Sequence, residues 1–358
     1  MQIINKNIRL QKVYIFFISF LLFIIIFSTS ILYANAFKIS DIEISSPFEL
    51  DFNKNRVIDK GFKDSFNNLL SMITTSGDRD KIKNASFEEI KGMIDSFTIS
   101  NEKFINNEYF AKLETTFNKK KILSFLEKKN VFPSMPIRNK VLLIPILVNI
   151  EDNKIFLFTD NIFYQKWNNN NKNYHLLDYL LLSEDIEDLR TIQLNLDSIE
   201  SYNFTNLIAK YDLQDYIVSI IFKDKNELRV LSKINLNNSL KIDNQKFEKF
   251  DLDSDNFEII LEKLKNTYEN YWKKNNEINT SIKLPLTIAV DSGAYGKIKE
   301  LEKLLKRSDL ISKFYISKFD SKTTFYKVIY NGSPKTFLNY FDDQALDISM
   351  KNNVWTIN

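Results

Sequence analysis

The chain has 358 residues, with 49 Lys and Arg, 46 Asp and Glu, one His, no Cys and 30 Phe. The missing cysteines exclude disulfides, thiolate metal sites and cysteine nucleophiles, so stability has to come from burial. Lys6, Arg9 and Lys12 precede Phe37 and no acid does, so residues 37–358 carry 46 charges of each sign, which is not the concentrated basic face that nucleic acid requires.

Val13 to Tyr33 is uncharged and rich in Ile, Leu and Phe, and the small-x-small triplet Ala34-Asn35-Ala36 follows it. A basic flank, an apolar core and an A-x-A end are the parts of a secretory signal. Cleavage between Ala36 and Phe37 is expected, with Ala34 and Ala36 as the residues the peptidase reads. The alternative is a retained anchor, since about 20 apolar residues can cross a bilayer as a helix. In both cases the basic flank stays cytoplasmic and the rest is translocated. The expected address is the periplasm of a Gram-negative bacterium, either free or as an inner-membrane-anchored periplasmic domain, with membrane contact only through residues 1–36.

Residues 37–130 mix strand and helix signals and are expected to form an α+β domain. Ile39, Ile42 and Ile44 mark a strand, and Val57, Phe62, Phe66, Leu69, Leu70 and Ile73 lie at helical spacing. Ser86 and Glu89 form a capping-box pattern at the start of "SFEEIKGMIDSF". "KFINNEYFAKLETTF" reads as two strands hinged at Asn106-Asn107, and "KKKILSFLEKK" as a short helix.

Pro133 and Pro136 interrupt regular structure and open a second part, 131–280, expected to be a three-layer α/β domain. "VLLIPILVNI" is apolar throughout, as a strand covered on both faces is. "DSIESYNFTNLIAKYDL" is expected to be a helix running into the strand "DYIVSIIF", which pairs with "ELRVLSKINL". "DNFEIILEKLKNTYENYW" carries Phe257, Ile260, Leu261, Leu264, Tyr268, Tyr271 and Trp272 on one face, which reads as core.

Residues 281–358 read as strand, helix, hairpin, helix and a last strand or hairpin, the split ferredoxin-like βαββαβ pattern. Ile298, Leu301, Leu304 and Leu305 are expected to cover a sheet face built from Phe314, Ile316, Phe325, Val328 and Tyr330. The fold class is therefore α/β and α+β in three parts, behind the export segment.

Chemistry is sparse. His175 is alone and has no G-x-S-x-G companion, so neither a multi-His metal site nor a serine triad is indicated. Gly293 and Gly296 in "DSGAYGKI" lack the phosphate-loop and dinucleotide patterns and read as a turn before a helix. Glu184, Asp185, Glu187 and Asp188 cluster in "SEDIEDLR". Paired carboxylates can do acid–base work on a glycosidic bond, whereas an acidic helix start complements the dipole.

"VLLIPILV", an apolar run ending in "SEDIEDL", and "LIAKYDLQDYIVSIIF" together resemble an uncharacterised family of exported proteobacterial proteins, a domain of unknown function. Asp185 and Asp188 match its D-x-x-D segment, Ala209 and Tyr211 approximate its Ala-x-x-Tyr motif, and Trp355 its late Trp. The Pro that usually precedes the acidic segment is missing here. The resemblance implies an exported α/β protein and carries no activity with it. No metal or other cofactor is expected. The expected function is a non-enzymatic envelope factor that binds other envelope proteins or polymers; the alternative is a glycan hydrolase using the acids in 184–188.

Overall fold

A computed structural model describes residues 37–358 except 170, 226, 249–255, 279–282, 309, 333, 343–345, 352, 353 and 358. The expectations for residues 1–36, including Ala34 and Ala36, lie outside the described residues. No helix among the described residues is long and apolar enough to cross a membrane. The fold is mixed α/β, built on three sheets.

The first sheet has the order β1-β3-β2, from Lys38–Pro47, Glu108–Phe117 and Ile94–Ile105, all antiparallel. Helix α1 (Lys54–Ile73) packs on one face. Asn53 starts it by accepting from the amides of Asn55 and Arg56 at 3.0 and 3.3 Å, which satisfies donors that have no partner within the helix. A Cβ at Gly61 would lie 2.7 Å from both Ile44 and Leu113 side chains, so glycine lets the helix approach β1 and β3. After the short helix α2 (Arg79–Ile82), α3 (Phe87–Gly92) carries the expected capping box between Ser86 and Glu89. The second strand begins at Ile94, earlier than the "KFINN" segment suggested. Helix α4 (Lys119–Lys128) closes this part.

The second sheet has the order β5-β4-β7-β8-β9, and β6 also pairs with β4. Its strands are β4 (Asn139–Asn149), β5 (Lys154–Phe156), β6 (Leu177–Leu181), β7 (Tyr216–Asp224), β8 (Glu227–Leu236) and β9 (Ser239–Phe247). β4 runs parallel to β6 and β7, and alternation along it feeds two cores. Val141, Leu143 and Leu147 face one apolar cluster, while Leu142, Ile144, Ile146 and Val148 face the other. The first face lies under α5 (Ile162–Lys166) and α8 (Asn256–Asn275), the second under α6 (Ile186–Leu194) and α7 (Thr205–Ala209). The expected stripe on α8 is buried, apart from Tyr271 at its margin.

The helix expected over 197–213 is absent. Leu196–Ser198 forms one 3-10 turn and α7 is only five residues long. Asn203 Oδ1 accepts from the Thr205 amide at 2.9 Å and its hydroxyl at 2.6 Å, a local bond that competes with helix continuation.

The third sheet has the order β11-β12-β10-β14-β13, from Ile311–Phe319, Thr323–Tyr330, Leu284–Asp291, Val354–Ile357 and Ile348–Lys351. Helices α9 (Tyr295–Arg307) and α10 (Pro334–Asp342) supply its apolar cover. In a βαββαβ unit the last strand lies antiparallel beside the first. Here β14 lies parallel beside β10, and β13 pairs outside it, because the chain doubles back after α10. Leu301, Leu304 and Leu305 are buried as expected, facing the expected Val328 and Tyr330, with Phe314 partly buried against the same cluster, and Tyr326 joins them. Phe325 has the opposite parity on its strand, and Ile316 is exposed next to a register shift in β11.

Leu301→Ala is expected to cost about 2–5 kcal/mol through lost burial and a residual cavity. Lys299→Ala and Lys303→Ala, on the exposed side of α9, should stay within about 0.5 kcal/mol. Amide exchange in β10 and β12 of the whole chain distinguishes them, and equal losses would contradict this packing.

Candidate functional site

The acidic segment lies between β6 and α6. Asp185 is the extended N-cap, and its Oδ1 accepts from the amides of Glu187 and Asp188 at 2.8 and 3.3 Å. Lys210 Nζ donates to Asp185 Oδ2 at 3.2 Å and to Asp188 Oδ1 at 2.7 Å. The Glu187 amide bond, then Lys210, holds the Asp185 carboxyl below its usual range, and Asp188 foremost raises the Lys210 ammonium. Tyr211 Oη accepts from the Ser183 amide at 2.7 Å. The segment around Asp185 and Asp188 is thus joined to the one around Ala209 and Tyr211. Both aspartates converge on one ammonium; they do not face each other across a cleft. Glu187 shares the first turn, and Glu184 precedes the cap.

Asp185→Ala should fray α6 and speed exchange of the Glu187 and Asp188 amides several-fold, while Asp185→Asn, which keeps the capping oxygen, should largely preserve protection. Equal exchange in the two variants would contradict a capping role.

The sequence reading missed a buried charged stripe on α8. Lys265, Glu269 and Lys273 follow one another by one helical turn, and each is at most 4% exposed. Glu269 Oε1 accepts from the amides of Leu176 and Leu177, each at 2.9 Å, and Oε2 from Leu176 at 3.0 Å. Lys265 Nζ donates to Asn171 Oδ1 at 3.0 Å, and Lys273 Nζ to the Ser71 carbonyl. Burial lowers both ammoniums to about 8 and raises the Glu269 carboxyl.

His175 lies beside this stripe. Its Nδ1 accepts from the Lys172 amide at 3.3 Å, while Nε2 is buried and unpartnered. Burial first, then the Lys265 charge, pushes its pKa down to about 4. The imidazole is therefore neutral at pH 7. Among the described residues no group of three or more His, Asp or Glu is placed to hold a metal ion.

Between pH 6.5 and 4 the unfolded chain binds a proton at His175 that the folded chain resists. Stability is then fully present above pH 6.5 and lost as pH falls toward 4, by an amount on the order of 2 kcal/mol. Lys265 and Lys273, lowered only to about 8, stay charged across this window. Glu269 acts in the opposite sense, but equally in parent and variant. Urea titrations of the parent and His175→Gln should therefore diverge in slope between pH 6.5 and 4. Parallel curves would show that His175 is not held neutral.

A third feature is apolar. At one end of the first sheet, Phe48 lies 5.0 Å from Phe52 and 4.9 Å from Phe104, ring centre to ring centre. Phe52 and Phe104 also meet Tyr109 at 5.3 and 5.2 Å. The Phe48 amide donates to the Asn107 carbonyl at 2.7 Å, fastening the β1–α1 corner to the β2–β3 turn. Tyr109 is buried, and its hydroxyl donates to Glu102, which Lys54 also binds. The outer rings are open, Phe48 being 51% exposed and Phe104 60%, and Ile105 beside them is 50% exposed. Gly293 and Gly296 take the expected turn-and-helix role, with Asp291 Oδ1 accepting from the Gly293 amide at 2.8 Å.

No protein-family model matches the chain, and no curated protein matches it either.

Proposed function

We propose that this chain is a non-enzymatic factor of the bacterial envelope that binds another envelope protein or polymer from the periplasmic side. The observation that carries this reading is the aromatic cluster whose open rings are Phe48 and Phe104, backed by the partly buried Phe52 and held in place by Tyr109 and the Asn107 carbonyl. Large rings fixed in position and left in water cost little entropy when a partner covers them, which is the usual character of a binding hot spot. The hydrolase alternative is disfavoured because Asp185 and Asp188 are committed to a helix cap and to Lys210.

The same proposal takes 37–130, 131–280 and 281–358 as three folding units. The middle one is then a three-layer α/β unit, and the last a ferredoxin-like unit with one added strand. It also places the chain with the exported family named above, and residues 1–36 as its signal or anchor.

A photo-crosslinking residue at position 104, introduced in cells, should give one discrete adduct. Phe48→Ser should weaken that adduct about tenfold or more, as loss of a hot-spot ring does, without unfolding the chain. A diffuse adduct pattern, or one indifferent to Phe48→Ser, would refute binding through this cluster.

A further inference from the structure

Four outer strands are nine residues or longer: β1, β2, β9 and β11. Register shifts interrupt β1, β2 and β11 against their neighbours, and such bulges protect an open edge from pairing. β9 pairs with β8 from Ser239 to Phe247 without a shift. Its outer edge is regular, and it exposes Leu240 at 61% and Ile242 at 63%.

The hairpin turn decides which backbone groups point outward. Asn237 and Asn238 both have positive φ, 53° and 58°, in the two-residue turn between Leu236 and Ser239. This primed turn makes Leu236 and Ser239 a hydrogen-bonded pair, and alternation follows along the strand. Leu240, Ile242, Asn244 and Lys246 consequently direct their N–H and C=O groups to the free edge. Side chains alternate as well. Lys241 and Asp243 lie on the α8 face, where Lys241 sits over the Tyr271 ring at 5.0 Å and Asp243 accepts from Gln245 at 2.7 Å. Leu240 and Ile242 lie on the opposite face.

We propose that β9 is a homodimer interface, pairing antiparallel with β9 of a second copy about a twofold axis through Ile242. This register opposes outward-facing backbone groups and forms about six interchain hydrogen bonds. It also sets Lys241 of each copy opposite Asp243 of the other, in the closer, non-hydrogen-bonded positions where charge pairing is strongest. Ile242 meets its own counterpart, with Leu240 diagonal to it. Shifting the axis by one residue either way opposes Lys241 to Lys241 or Asp243 to Asp243, which like-charge repulsion disfavours. A groove of about 280 Å3 beside the edge, lined by Lys241, Asp243, Thr267, Asn270, Tyr271 and Lys274 among others, leaves room for the partner's side chains. The second sheet would then continue across the axis.

Sedimentation velocity on the purified whole chain at micromolar concentrations should show a monomer–dimer equilibrium. Asp243→Lys should raise the dissociation constant at least about tenfold, and the charge swap Lys241→Asp with Asp243→Lys should restore dimerisation. The register has its own readout, because the chain has no cysteine. Ile242→Cys lies on the axis and should crosslink to its counterpart under mild oxidation, whereas Leu240→Cys, about 14 Å from its own counterpart, should not. A wild-type chain that stays monomeric would overturn the proposal. So would a folded Asp243→Lys variant that dimerises like the parent, or a Leu240→Cys chain that crosslinks as fast as Ile242→Cys.

Discussion

The structure turns on the carboxylate of Glu269 buried beneath α8. It takes the amides of Leu176 and Leu177, and so fixes where β6 begins against β4. The ammoniums of Lys265 and Lys273 stand one turn away on either side. One holds the Asn-rich loop through Asn171, and the other holds the last turn of α1 through the Ser71 carbonyl. Burying charge is costly unless each ion finds oppositely charged or hydrogen-bonded partners. Those partners come from three separate segments, so the cost is met only when all three are in place. Neighbouring residues extend the same junction. Trp272 Nε1 donates to the Ile137 carbonyl at 2.8 Å, and Asn270 exchanges two hydrogen bonds with Ser76. Helix α8 thus belongs to the second sheet by its apolar face and to the first sheet's helix by its polar one.

Turn chemistry is the second constraint. The chain has only six glycines, and none of those described adopts positive φ. Asn takes that role at 101, 106, 107, 130, 153, 237 and 238. Its short side chain tolerates the left-handed region better than most residues do. The pairs Asn106-Asn107 and Asn237-Asn238 close β2–β3 and β8–β9 as two-residue hairpins, and so set the register of both outer strands.

Much of this was legible in the sequence where one physical signal dominated. The stripe of α1, the capping box at Ser86 and the unbroken apolar run of β4 each specify a single element. Asn106-Asn107 marks its hairpin because alternating apolar residues follow it, whereas the same turn signal at Asn237-Asn238 precedes β9, where they stop after Ile242. Its alternation pairs Leu240 and Ile242 with charged neighbours on an open edge, where no burial reinforces the pattern. Phe325 misled because a strand's aromatic residues do not declare their parity, and Tyr326 is the one that turns inward. The candidate site divides in the same way. Asp185 and Asp188 were visible as acids at a helix start, but the ion pair with Lys210 joins positions more than 20 residues apart. Lys265, Glu269 and Lys273 fall outside the apolar stripe of α8, and nothing local shows that Leu176 and Leu177 offer their amides there.

Charge balance bears on how these sheets are kept apart in solution. Residues 37–358 carry equal numbers of basic and acidic side chains, so net charge provides no general repulsion between copies. Control of open strands must then be local. Asp41 and Asn101, both at positive φ, lie where β1 and β2 lose register, and each shift spoils the regular row of donors and acceptors that an incoming strand needs. Register shifts do the same for β11, and the other edges of the second and third sheets apart from β9 are short strands: β5, β6 and β13 have five residues or fewer. β9 has neither device. A long, regular edge without a bulge, in a stretch whose charges balance, is either a hazard or a contact surface, and the alternation of Lys241 with Asp243 on one face and Leu240 with Ile242 on the other favours the contact.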